Sequence, residues 1–246
     1  MTTPWAHVFI DVPADQLADA QRFWSAVTGG ALTSPWEGHP EFVSLQPPTG
    51  AAYVHVQRIH GDPRVHIDLA TDDVDDEASR LVELGAGRVA RFQWWQVMSS
   101  PGGLPFCLCE DPSRVRPDPI TWPDGHRSRV AQVCLDIPAA SYDTEVPFWI
   151  NATGWTTETS NRAEFESLVP PPSSPIKLLL QRLGADDTRS ETSAHIDLGT
   201  DDRSAEIDRL VGLGAIDVAQ PPNPGGWHVL EDPAGLPFCV TSRPPD

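Results

Sequence analysis

The chain repeats itself, and that bounds what it can fold into more tightly than any single motif. His66-Ile-Asp-Leu-Ala-Thr-Asp-Asp73 returns as His195-Ile-Asp-Leu-Gly-Thr-Asp-Asp202. Gly103-Leu-Pro-Phe-Cys107 returns as Gly235-Leu-Pro-Phe-Cys239, and Phe23-Trp24 with Thr28-Gly29 returns as Phe148-Trp149 with Thr153-Gly154. The pairs keep their order, and their offsets differ by only a few residues, as loop insertions produce. Two homologous domains are expected, residues 1–117 and 128–246. The linker, 118–127, lies in the Pro-rich, polar stretch from Asp111 to Arg127.

Each half divides again. Val8 and Ile10 alternate with His7, Phe9 and Asp11, a period-2 strand. Asp15 to Val27 places Leu17, Ala20, Phe23, Trp24 and Val27 on one helical face, with Gly29 as the stop signal. Short strands follow at Glu41–Leu45 and Tyr53–Arg58. The pattern restarts with a strand at Val65–Leu69 and a helix from Val74 to Leu84, then strands near Trp94–Met98 and Leu104–Cys109. The second half repeats it from Val130 and from Ala194, so four strand-helix-strands units make the chain. Pro147 falls inside the third helix and is expected to kink or shorten it.

Composition removes several classes of function. Lys plus Arg number 17 against 35 Asp plus Glu, a net charge of −18, and Lys177 is the only lysine. Nucleic acid and anionic membrane surfaces both need the opposite sign. No apolar stretch approaches the roughly 20 residues of a membrane span. The N-terminus lacks a basic region followed by an apolar signal core. Cys107, Cys109, Cys134 and Cys239 form no CxxC pair, which reads as reduced thiols in a cytoplasmic protein. No GxSxG, HExxH or dinucleotide fingerprint occurs.

The Phe-Trp…Thr-Gly helix ends, the His-Ile-Asp-Leu strands leading into Leu-Gly-Ala stops, and Asp232-Pro-Ala-Gly-Leu-Pro-Phe-Cys-Val240 together resemble the vicinal oxygen chelate superfamily. That superfamily holds glyoxalases, bleomycin-resistance proteins and extradiol dioxygenases, and the likeness is to its glyoxalase-like branch. Leu236 stands where the closing motif usually has Asn. The resemblance implies an α+β fold of four βαβββ modules, paired into two tandem glyoxalase-like domains with cup-shaped mixed sheets. One fold hosts many chemistries, so function is argued from the site.

In metal-using members a His or Gln, a Glu, a His and a final Glu converge. The matching positions here are His7, His55 (or its neighbour Gln57), His66 and Cys107 in the first half. In the second they are Gln132, Leu179, His195 and Cys239. Leu179 ligates nothing and both final carboxylates are cysteines, so the second domain is expected to hold no metal. His228 and Glu231 are the nearest substitutes. His66 and His195 precede Asp68 and Asp197 by two residues on one strand face, and a satisfied His–Asp hydrogen bond is the structural alternative. Thr71-Asp72-Asp73 and Thr200-Asp201-Asp202 read as helix caps. Cys107 and Cys239 read as small buried hydrophobes, and Phe23-Trp24 and Phe148-Trp149 as helix-to-sheet core.

The favoured reading is a protein that binds a small organic molecule in a sheet-lined cup without a metal, as a sequestering protein or a metal-free enzyme. His7, His66, Gln132 and His195 orient the ligand, and Trp95 and Trp227 wall it. No cofactor is needed, and a monomer is preferred to a homodimer because fusion supplies the pairing internally. The alternative is a divalent-metal lyase, isomerase or extradiol-type dioxygenase. It holds Zn, Ni or Fe on His7, His55 and His66 of the first domain.

Overall fold

The computed structural model describes residues 2–111, 115–160, 162–218 and 226–245. The first half runs β1 (Ala6–Pro13), α1 (Leu17–Thr28), β2 (Ala31–Leu32), β3 (Phe42–Gln46) and β4 (Val54–Ile59). It continues with β5 (Arg64–Thr71), α2 (Val74–Glu83), β6 (Gly87–Arg91), β7 (Trp95–Ser99) and β8 (Pro105–Glu110). After β9 (Ile120–Thr121), the second half runs β10 (Arg127–Ile137), α3 (Tyr142–Thr153), β11 (Thr156–Thr159), β12 (Phe165–Val169) and β13 (Lys177–Arg182). It closes with β14 (Ser193–Thr200), α4 (Arg203–Gly212), β15 (Ile216–Asp217), β16 (Trp227–Glu231) and β17 (Pro237–Thr241).

The strands build two curved mixed sheets, ordered β2-β3-β4-β1-β5-β8-β7-β6 and β11-β12-β13-β10-β14-β17-β16-β15, with β9 on β10. This is the expected α+β architecture. The parallel pairs are in equivalent register: Ile67 opposes Phe106 and Asp68 opposes Cys107, while Ile196 opposes Phe238 and Asp197 opposes Cys239.

Local rules explain most boundaries. α1 and α3 end on Gly29 and Gly154, both left-handed, where a side chain would be strained. Asp73 accepts from the amides of Asp75 and Asp76, and Asp202 from that of Ala205, the caps read from the sequence. Pro147 does not shorten α3, which runs 12 residues like α1. Proline removes one backbone donor there, and Asn151 Nδ2 bonds the Pro147 carbonyl. The 118–127 stretch carries strand β9, whose Thr121 pairs with Arg127 of β10 across a turn at Gly125. Part of the wider Asp111–Arg127 stretch, residues 112–114, lies outside the described residues.

The chain forms two compact units, and each draws on both halves. One comprises residues 1–8, 66–115 and 133–194, the other 9–65, 116–132 and 195–246. In the latter, α1 packs on β17, with the Phe23 and Trp24 rings 5.9 and 5.3 Å from Phe238. In the former, α3 packs on β8, with Phe148 and Trp149 5.9 and 5.2 Å from Phe106. The Phe-Trp pairs are helix-to-sheet core, as read, but each serves a strand of the other repeat. Full burial of side chains this size contributes about 1.5–3 kcal/mol each.

A buried carboxylate fixes each tryptophan. Asp232 accepts from Trp24 Nε1 at 2.8 Å and from the amides of Ala234 and Leu236 in the β16–β17 turn. Burial pushes its carboxyl up, against the pull of those donors. The repeat places Ser100 at the equivalent turn position, and there Glu145 of α3 supplies the acid. It accepts from Trp149 Nε1 at 2.8 Å and from the Gly102 amide at 2.6 Å. A Cβ on Gly102 would lie 2.8 Å from the Glu145 carboxyl carbon, so the turn needs glycine. Asp232→Ala orphans three donors, two of them buried, and a loss on the order of 3 kcal/mol is expected in urea unfolding. A loss under ~1 kcal/mol would refute this anchor.

Candidate functional site

Strand alternation sorts the chemistry. On β5, Val65, Ile67 and Leu69 are buried on one face and His66 and Asp68 lie on the other. The register carries that second face across β8 at Cys107 and Cys109 to Val97 and Trp95 of β7. In the second half the same face runs from His195 and Asp197 of β14 through Cys239 to Val229 and Trp227 of β16. On β7, half-buried Trp95, Val97 and Ser99 alternate with buried Gln96 and Met98, so this face is open on one side.

Equivalent groups of convergent donors recur in the two repeats. In one unit, ligating atoms of His66, Asp68 and Cys107 lie within 4.8 Å of one another; in the other, those of His195, Asp197 and Cys239 do. His66 Nε2 is 3.3 Å from Asp68 Oδ1 and His195 Nε2 is 3.4 Å from Asp197 Oδ1. The expected His–Asp pairs are therefore in place, but neither satisfies its acid. Asp68 Oδ1 and Asp197 Oδ1 are buried and accept no hydrogen bond among the described residues. Cys239 Sγ lies 3.6 Å from the same His195 Nε2 that faces Asp197. A nucleophile relay uses opposite ring nitrogens for thiol and acid. One nitrogen shared by sulfur and carboxylate does not form such a relay.

The thiol is inert without a positive charge beside it. Burial and the neighbouring Asp68 carboxylate push Cys107 up to about 12, with His66 pulling the other way.

The expected trio His7, His55 and His66 is not among the close donor groups of the described residues. His55 stacks on Phe9 at 4.6 Å, meets Trp36 edge-on at 5.4 Å and bonds Ser44 Oγ through Nδ1 at 2.9 Å. Its cross-strand pairing with Ser44 fixes that nitrogen, and the aromatic rings take the rest of the imidazole. His7 Nε2 lies 3.1 Å from Asp111 Oδ2, and Trp5 packs edge-on against its ring. Among the described residues, neither His7 nor His55 belongs to a close donor group. His228 pairs with Asp217 at 2.7 Å. Trp95 stacks on Phe92 at 4.7 Å with planes 13° apart, while Trp94 is exposed. Gln132 of β10 donates through Nε2 to Asp197 Oδ2.

The sequence reading missed Asp68 and Asp197 as donors. The signal was the His-x-Asp spacing, read only as a hydrogen-bonded pair.

A model of the glyoxalase-like domain matches residues 7–109 and again 132–241. The chain belongs to the glyoxalase-like domain family. Solved structures share the fold of its two tandem domains at low identity. A triple variant of 4-hydroxymandelate synthase from Streptomyces coelicolor is 14% identical, with a TM-score of 0.62, over 98% of this chain and 93% of that one. A halotolerant catechol dioxygenase is 12% identical, at 0.62, over 98% and 87%. A variant of homoprotocatechuate 2,3-dioxygenase from Brevibacterium fuscum is 12% identical, at 0.62, over 99% and 72%. No curated protein matches the chain.

Two outcomes follow. His55→Ala is expected to destabilise the first glyoxalase-like domain by about 2–4 kcal/mol and to leave bound metal unchanged; metal lost with it would return His55 to the centre. In chelator-treated protein, the alkylation rate of Cys107 is expected to climb about tenfold per pH unit from neutrality to beyond pH 10. A plateau near pH 8, followed by peptide mass spectrometry, would refute the raised thiol.

Proposed function

We propose that this glyoxalase-like protein is a divalent-metal enzyme acting on a small oxygen-bearing organic molecule, with its centre in the first domain. The single observation behind this is the group His66, Asp68 and Cys107, whose buried carboxylate oxygen has no hydrogen bond. Nitrogen, oxygen and sulfur donors together suit Zn, Ni or Fe. The dioxygenase folds of the similar structures support the same reading. The residues replace the expected His7, His55, His66 set with a tighter one, in which Asp68 restores the carboxylate that Cys107 displaces.

Bound there, a divalent cation supplies Lewis acidity to substrate oxygens. The chain supplies the rest. Asp68 holds the His66 ring and balances the charge. His7, steadied by Asp111 at 3.1 Å, holds or accepts a proton at its ring nitrogen. Trp95, braced by Phe92, offers a flat apolar wall for the carbon skeleton.

A second reading keeps the same faces for ligand capture without metal, through His7, His66, Gln132 and His195 with Trp95 and Trp227 as walls. The half-burial of both tryptophans on the donor face favours it. Among the described residues the cysteines are free and no helix is long and apolar enough to cross a membrane. Free thiols support a reducing compartment, and we place the protein there as a monomer of two domains, 1–117 and 128–246.

Elemental mass spectrometry of the tag-free chain tests the metal. Asp68→Asn and Cys107→Ser are each expected to lower bound metal by one equivalent, with activity on enediolate or ring-cleavage substrates falling at least 100-fold. Metal content unchanged in both variants would sink the proposal and leave the metal-free reading.

A further inference from the structure

The segment between the two repeats holds a buried histidine that the proposed chemistry does not use. His126 closes the hairpin of β9 and β10. Its Nδ1 lies 2.6 Å from Asp124 Oδ1 in the turn, and its Nε2 lies 2.8 Å from Glu206 Oε2 of α4. An ionised carboxylate only accepts, and a neutral imidazole has one N–H to give. Both bonds form together only when the ring carries both protons. Glu206 is fully buried and pairs with Arg209, whose Nε and Nη2 each reach one of its oxygens at 2.8 Å. Arg209 also donates to the Ala26 and Val27 carbonyls at the end of α1 and covers the Trp122 ring of β9 at 3.6 Å. The hairpin, α1 and α4 belong to one compact unit, and this chain of charges joins all three. Burial opposes the charge on His126, and the bonds to Glu206 and Asp124 outweigh it, holding the ring above its ordinary value. Arg127, next in the chain, pairs with Asp201 ahead of α4.

We propose that His126 is a proton-operated clasp, closed when the ring is charged, that holds the β9–β10 hairpin on α4 and the end of α1. The first repeat supplies the contrast. Arg80 and Glu77 make the equivalent tie to the carbonyls that end α3. The residue six before His7 is Met1, however, where His126 stands six before Gln132. A thioether takes up no proton, so one repeat carries a fixed tie and the other a titrating one. Loss of the proton leaves a ring nitrogen with its lone pair facing a carboxylate, and the hairpin opens. Arg209 keeps Glu206 and the α1 carbonyls, so the rest of the unit stays folded. A group whose pKa rises on folding adds stability that is complete below its unfolded value and is lost as pH climbs through its folded one. The clasp therefore opens on the alkaline side of the ordinary histidine range.

The test titrates the full chain and follows two signals, the NMR resonances of the His126 ring and the hydrogen exchange of two hairpin amides. Those amides are Trp122, bonded to the His126 carbonyl, and Gly125, bonded to that of Trp122, both at 2.9 Å. The ring is expected to titrate above the ordinary value of about 6.5. Exchange, corrected for its intrinsic pH dependence, is expected to rise through the same titration, about tenfold for each unit by which folding raises the ring. Amides within α2 should show no such step. His126→Phe keeps a flat ring without the protons, and its hairpin amides are expected to exchange fast at every pH. A ring that titrates at or below the ordinary value overturns the clasp. So does a parent hairpin that shows no step, or a step that survives in His126→Phe. Where that variant does not fold, Asp124→Asn removes one exposed acceptor and is expected to lower the titration of the ring. A titration left unchanged by Asp124→Asn overturns the assignment.

Discussion

The fold depends on an indole hydrogen-bonded to a buried acid at the point where a helix of one repeat meets a strand of the other. Trp24 reaches Asp232, and Trp149 reaches Glu145, which also holds the Gly102 amide. The two solutions place the acid on different elements, the turn in one unit and the helix in the other, yet both tie a tryptophan donor to a β-turn. Each bond sits beside a Phe-Trp-Phe cluster, so hydrophobic burial provides the energy and the acid provides the register. Arginines add a second tie. Arg80, paired with Glu77, donates to the carbonyls of Asn151 and Ala152 at the end of α3. Arg209, paired with Glu206, does the same to Ala26 and Val27 of α1. Both place a cation at a helix C-terminus, where the exposed carbonyls concentrate negative charge.

With the helices committed to one face of each sheet, the opposite face is left for chemistry. Polar residues there are buried without being satisfied, which a purely structural face avoids. Asp68 and Asp197 recur at the same place in both repeats, each with a buried oxygen that accepts no hydrogen bond among the described residues. A single such atom invites a local explanation. Its repetition beside an imidazole and a cysteine is the feature on which the proposed metal reading rests.

Much of this was legible in the sequence, and the gaps have physical causes. The four-module pattern, the glycine stops after Thr28 and Thr153 and the Asp73 and Asp202 caps all rest on local rules, and local rules read well from one chain. Which strand the Phe23-Trp24 face would meet was not legible, because periodicity states that a face is buried and not against what. The site was half legible. Alternation placed His66 and Asp68 together, but whether the acid bonds the ring or faces a shared point depends on angles that no spacing encodes. The aromatic neighbours of His55, Phe9 and Trp36, were not legible because they come from separate elements.

The repeats also differ where their chemistry should differ. His7 and Gln132 occupy the same place on β1 and β10, and the residues that hold them diverge with them. Asp111 follows β8 and takes His7, whereas the matching position after β17 is Arg243, which offers no acceptor. Gln132 turns instead to Asp197. In the first half the β1 imidazole thus lies beside its own acid, at 3.1 Å. One duplicated scaffold in this way holds its first-strand polar residue by different acids, and two exchanged side chains, His7 for Gln132 and Asp111 for Arg243, carry the difference.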